Sequence, residues 1–133
     1  MKTFSLPLTI LVILVILMTS SQNKQQDAKS KDNYQNFIVV VQYKTQPSKS
    51  KEAIEGLMKL IDEVKKEPHF VKIIMHVDPK DETNILLYEE WEEETYYNGD
   101  HMLTKHLQGF MEDSRAFLAG PPEISSWRIE KEF

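Results

Sequence analysis

The chain has 133 residues, 41% of them hydrophobic and 28% charged, which is the composition of one globular domain. Sixteen Lys and Arg against 21 Asp and Glu give a net charge of −5, excluding the basic footprint of a general nucleic-acid binder. The absence of cysteine excludes a disulfide scaffold, a thiolate zinc site, a cysteine nucleophile and a lipoprotein's lipidated cysteine.

Met1-Lys2 opens the chain, the apolar run Leu6 to Met18 follows, and Thr19-Ser20-Ser21 supplies small residues before Gln22. That run matches the hydrophobic stretch of a signal peptide and falls short of the ~20 residues of a spanning helix. Residues 1–21 are therefore expected to export the chain to the periplasm or extracellular space. The alternative is an uncleaved anchor over residues 4–18, in which case this segment is the chain's membrane contact. Residues 22–36 carry almost no apolar side chains and read as a flexible linker. The folded domain is expected over 37–133.

Phe37 to Lys44 alternates with a period of two and reads as a strand, with Phe37, Val39, Val41 and Tyr43 on its apolar face. Turn residues Thr45 to Ser50 follow, with Ser48 or Ser50 as an N-cap. From Lys51 the period becomes helical, and Ile54, Leu57, Met58, Ile61 and Val64 form one stripe. Pro68 bounds this helix. Phe70 to Val77 is a second strand, with Val71, Ile73, Met75 and Val77 on one face. A turn at Asp78-Pro79-Lys80-Asp81-Glu82 leads into a third, Asn84 to Trp91, as an antiparallel hairpin. Leu103, Leu107, Phe110, Met111, Phe117 and Leu118 mark a second amphipathic helix, ended by Gly120-Pro121-Pro122. A last strand runs from Ile124 to Phe133, with Trp127, Ile129 and Phe133 on one face.

The order βαββαβ is the ferredoxin-like, α+β plan: a four-stranded antiparallel sheet with both helices on one face. The other sheet face carries large side chains that a homodimer would cover. The chain has no Gly-rich phosphate loop, nucleophile elbow or Ca²⁺-loop spacing. His101 and His106 are separated by about 140° around a helix, so no metal site is expected from them.

Tyr88, Trp91, Tyr96, Tyr97, His101 and His106 remain as a short-range cluster of aromatics and donors. Such a set suits a flat, partly apolar ligand with polar edges, such as a phenol, quinol or porphyrin. The plainer alternative makes Trp91 and Tyr88 sheet core and puts Tyr96 and Tyr97 at a dimer seam.

Leu87-Tyr88-Glu89-Glu90-Trp91, then Tyr96-Tyr97, then His101-Met102-Leu103-Thr104-Lys105-His106 leading into an apolar helix, resembles the signature of antibiotic biosynthesis monooxygenase domains. Those read Y-E-x-W, an aromatic, then H-x-x-T-x-H. Glu67-Pro68 and Pro47-Ser48 fall at the family's usual turn positions. The likeness covers about residues 36–133.

The resemblance implies a homodimeric α+β barrel with a pocket in each subunit. It also implies oxidation of quinols or anthrone-type phenols by O₂ without metal, flavin or haem, so no cofactor is expected. Carried over, His106 is the candidate base or phenol-orienting group and His101 the second. Trp91 is a pocket wall and donor, and Tyr97 a donor to the developing oxyanion. Tyr88 and Tyr96 would contact substrate. Glu89 shares the strand face of Trp91 and would orient a histidine or bind substrate, the alternative being a solvated or dimer-bridging carboxylate. Arg128 would meet an anionic substrate or pair with Glu90.

Two other readings stand beside this one. The first is a non-catalytic dimeric binding or stress-response module of the same fold. The second is haem degradation by a related branch, which requires an Asn on the first strand where this chain has Gln42 or Tyr43.

Overall fold

The computed structural model describes residues 36–133. The expected leader, and all of the expected linker but Asn36, lie outside the described residues. The elements are β1 (Phe37–Lys44), α1 (Ser50–Val64), β2 (Phe70–Val77), β3 (Asn84–Trp91), α2 (Glu94–Asn98), α3 (Lys105–Asp113) and β4 (Glu123–Arg128). The strands form one sheet in the order β2-β3-β1-β4, with every neighbouring pair antiparallel. This is the ferredoxin-like arrangement that the element order predicts.

The three strands before α2 follow the expected bounds because each alternates with a period of two. In β1 and β3, register pairs Val39 with Glu89 and Val41 with Leu87, putting all four on the helix-facing side. There they meet Ala53, Leu57, Leu60 and Val64 of α1 in one core. Met58, expected on the α1 stripe, is 56% exposed. The buried line runs through Ala53, Leu57, Leu60 and Val64, and Met58 lies about 120° from its centre. Neither serine caps the helix. Lys49 occupies the N-cap, and the Ser50 hydroxyl lies 3.2 Å from that of Thr45.

A bulge between Phe70 and Lys72 takes Val71 out of the pairing. Val71 is therefore exposed, as is Val77 at the far end of the strand, where it still pairs with Ile85, whereas Ile73 and Met75 pack against the core. The last strand stops at Arg128, short of the expected Phe133.

The expected second helix is broken into pieces. After α2 comes a 3₁₀ turn at His101–Leu103, then extended Thr104, then α3, then a 3₁₀ turn at Ser114–Ala116. The Thr104 hydroxyl donates to the carbonyl of His101 at 2.8 Å, and its own carbonyl accepts the Gln108 N–H that starts α3. Such local bonding lets a threonine compete with a continuous helix. The break resets the phase, leaving Leu103 and Met111 exposed at 77% and 49%.

Two helical glycines separate propensity from packing. A Cβ at Gly109 would meet nothing within 4 Å, whereas one at Gly56 would sit 2.9 Å from the buried Phe117 ring. Gly109→Ala is expected to stabilise the domain by about 1 kcal/mol in urea unfolding. Gly56→Ala is expected to gain nothing, because the clash offsets the propensity.

A candidate active site between sheet and helices

An apolar cavity of about 250 Å³ opens between the helix-facing side of the sheet and α1 and α3. Val41, Leu60, Ile73, Leu87, Leu107 and Phe110 form much of its wall, and Tyr43, Glu89, Tyr97, His101 and Ser114 bring polar atoms to it. A ligand there would be held by apolar contact and oriented by few polar groups.

Glu89 stands on β3 facing inward, and it is 6% exposed. The Trp91 indole N–H, two residues on along the same face, donates to its Oε2 at 3.1 Å. Burial raises the Glu89 carboxyl to about 7, against the lowering effect of the Trp91 bond, and the charge of Glu67 adds to the rise. Tyr97 and Tyr43 are pushed above the ordinary phenol range, chiefly by burial and then by the charge of Glu89. Both therefore remain protonated donors at neutral pH.

His101 is buried in the turn after α2. Its ring stacks on Tyr97 at 5.0 Å between centroids and packs on Trp91 at 4.7 Å. Its Nδ1 lies 2.9 Å from Glu67 Oε2. With Nδ1 engaged there, Nε2 is the nitrogen left for a ligand.

Glu67 joins the site from the turn between α1 and β2. Its side chain is 5% exposed, and it is contacted by three residues distant in sequence. The Tyr96 hydroxyl donates to Oε2 at 3.1 Å, His101 shares that oxygen, and His106 Nε2 contacts Oε1. The Glu67-Pro68 pair stood out in the sequence only as a turn. The histidines' partner is therefore Glu67, and not the expected Glu89.

The expected site residues separate. His101, Tyr97 and Glu89 line the cavity. Trp91 is fully buried behind Glu89 and reaches the cavity only through that carboxyl. Tyr96 bonds Glu67 and packs on His69, and is not among the residues lining the cavity. His106 also lies outside it, in a groove between α1 and α3 with Lys59, Gly109 and Phe110.

Tyr88 lies on the opposite sheet face, where period-two alternation places it, and its hydroxyl bonds Glu90 at 2.9 Å. Glu90 pairs with Lys72 at 2.8 Å rather than with Arg128. Arg128 is 79% exposed in its side chain and lies 3.5 Å from Glu130. Tyr43, which the sequence marked only as part of a strand face, and Ser114, which no motif marked, are polar residues of the wall.

Comparison with known proteins agrees with this geometry. No curated protein sequence matches the chain. Among solved structures, a Pseudomonas aeruginosa protein superposes with a TM-score of 0.66 at 16% identity, covering 73% of this chain and 96% of that one. A conserved Methanosarcina mazei protein gives 0.66 at 21%, covering 73% and 95%. A Nitrosomonas europaea protein, provisionally named an antibiotic biosynthesis monooxygenase, gives 0.67 at 16%, covering 72% and 91%. These similarities establish the fold. The sequence profile of the family described as antibiotic biosynthesis monooxygenase matches residues 36–113, well over half of the chain, and the protein belongs to that family.

Proposed function

We propose that the protein is a cofactor-independent monooxygenase that oxidises a quinol or a related electron-rich phenol with O₂. The supporting observation is an apolar cavity lined by two proton-exchanging groups, the Glu89 carboxyl raised to about 7 and the Glu67-bound His101. A group that titrates near working pH is suited to move a substrate proton. His101 Nε2 takes the phenolic proton, and the Tyr97 and Tyr43 hydroxyls donate to the resulting oxyanion. This assignment moves the base from His106 to His101.

The anion passes one electron to O₂, and the radical pair combines as a peroxide on a substrate carbon. Glu89, protonated in part of the population at neutral pH, returns a proton to that peroxide. Loss of water leaves one oxygen atom in the product. The substrate supplies every electron, so the balance needs no external reductant.

Oxygen uptake by residues 27–133, offered hydroquinones and anthrone-like phenols with chelator present, tests this reading. Uptake above autoxidation is expected, falling about 100-fold or more in His101→Ala. A protein that binds these ligands and consumes no oxygen would instead be a binding module.

The outer sheet face supports a homodimer. Ile74 and Trp127 are 44% and 61% exposed there, next to Val40 and Tyr88, an arrangement that a second copy would cover. Sedimentation of the domain is expected to give twice the chain mass, and Trp127→Glu to shift it toward the monomer. Residues 1–21 would place this dimer outside the cytosol.

A further inference from the structure

We infer that Glu67 and His106 form the proton port of the cavity, so that a proton taken up at His101 is balanced by one released from His106 to solvent. The inference rests on the reading of the cavity as a site that deprotonates a phenol. Neither residue touches the substrate. Both act through His101.

Glu67 joins a buried imidazole to a more exposed one. The side chains of His101 and Glu67 are 7% and 5% exposed, and that of His106 is 24% exposed. The two carboxylate oxygens are divided between the imidazoles, Oε2 facing His101 Nδ1 and Oε1 facing His106 Nε2. One buried carboxylate contacts both imidazoles, so holding both charged at once is disfavoured. A proton gained at His101 is therefore balanced by one lost at His106, through the carboxylate they share.

In the forward step the substrate O–H bond breaks and His101 Nε2–H forms. Glu67 turns its charge to the new imidazolium, and the Nδ1–H bond of His106 breaks, its proton passing to water. When His101 gives its proton back within the cavity, His106 is reprotonated from solvent. In each half of the cycle His106 exchanges one proton with the medium while the substrate's proton stays within the cavity, and over the full cycle the balance is zero.

The surrounding groups leave the cluster reliant on Glu67. Inside, the Tyr96 hydroxyl donates to its Oε2 and Asp100 lies near Tyr96. Across the cavity, Glu89 feels the charge of Glu67. Around His106 the groove carries Glu52, Glu55 and Lys59 from α1 and Asp113 from α3. This acidic rim attracts the leaving proton. A groove of about 440 Å³ gives it access to water.

The deciding variant is His106→Gln, whose amide can still donate to Glu67 but has no titratable proton. A port predicts kcat lowered about ten- to hundredfold with KM within about twofold. It also predicts partial rescue of His106→Ala by imidazole entering the groove. A structural brace predicts wild-type kcat in His106→Gln, and that result would overturn the port.

A second readout needs no turnover. In weakly buffered medium at about pH 6, where free 4-nitrophenol is mostly protonated, the full chain is mixed with that phenol. Wild type is expected to bind it as the yellow phenolate and release about one proton per ligand, and His106→Gln to release none. Wild type that fails to bind it, or binds it without release, refutes the port. Release without oxygen uptake on any phenol would retain the port and reject the oxidation. Oxidation with equal kcat in both proteins would do the reverse.

Discussion

Replacing Glu89 with glutamine is expected to make the domain more stable at alkaline pH and to lower its activity sharply. The folded protein holds the Glu89 carboxyl at about 7, against the 4.5 of an unperturbed glutamate. A raised carboxyl binds its proton more tightly in the folded state than in the unfolded one. The group therefore contributes its full stability below about pH 4.5, and that contribution is lost as pH rises through about 7. The loss amounts to about 3 kcal/mol. Its main cause is burial of the charged form beside the cavity.

Glutamine keeps an oxygen to accept the Trp91 indole bond but never ionises. Urea unfolding at about pH 8 is expected to find Glu89→Gln more stable than wild type by 1–2 kcal/mol, with that advantage gone at about pH 4. Oxygen uptake should fall about 100-fold. Parallel pH–stability curves for the two proteins would show that Glu89 is solvated and its carboxyl unperturbed.

Glu67→Ala is expected to be the most damaging single truncation outside the apolar core. It leaves His101 Nδ1, His106 Nε2 and the Tyr96 hydroxyl without their acceptor. Removing one partner of a buried ionic cluster costs about 3–5 kcal/mol, far more than an exposed pair such as Lys49–Glu52, which is worth at most about 1 kcal/mol. In a domain of this size that loss lowers Tm by more than about 10 °C. His106→Ala removes one donor and leaves the inner pair intact, so its loss should be about 1 kcal/mol. A thermal scan showing equal, small losses for both variants would mean that water replaces the carboxylate.

The same two carboxylates show how much of the site was legible in the chain. Glu89 was legible. It lies two residues before Trp91 on a strand whose alternation is plain, so both face one way and Tyr88 and Glu90 face the other. That same alternation removes Tyr88 from the cavity, against the expectation drawn from its place in the aromatic cluster. Clustering along a strand is divided between two faces, because successive side chains point to opposite sides. The motif spacing around His101 and Thr104 was also legible, and it identified the family.

Glu67 was not legible as a functional residue. It lies 34 and 39 positions from the histidines that contact it, and no local period joins a turn after one helix to a turn before another. The break at Thr104 was hidden for a related reason. A hydrophobic stripe records which residues are apolar, but the Thr104 hydroxyl bond to His101 interrupts the helix and changes which of them face inward.

The sequence by itself determined the strands, their order, the helix-facing side of β1 and β3, and the family, since each is encoded in the spacing of near neighbours. Only the tertiary structure decided that His101 lines the cavity while His106 lines an outer groove, and that one carboxylate serves both. That division arises because hydrophobic periodicity is a local property, whereas a shared buried charge exists only once the packed core has closed around it.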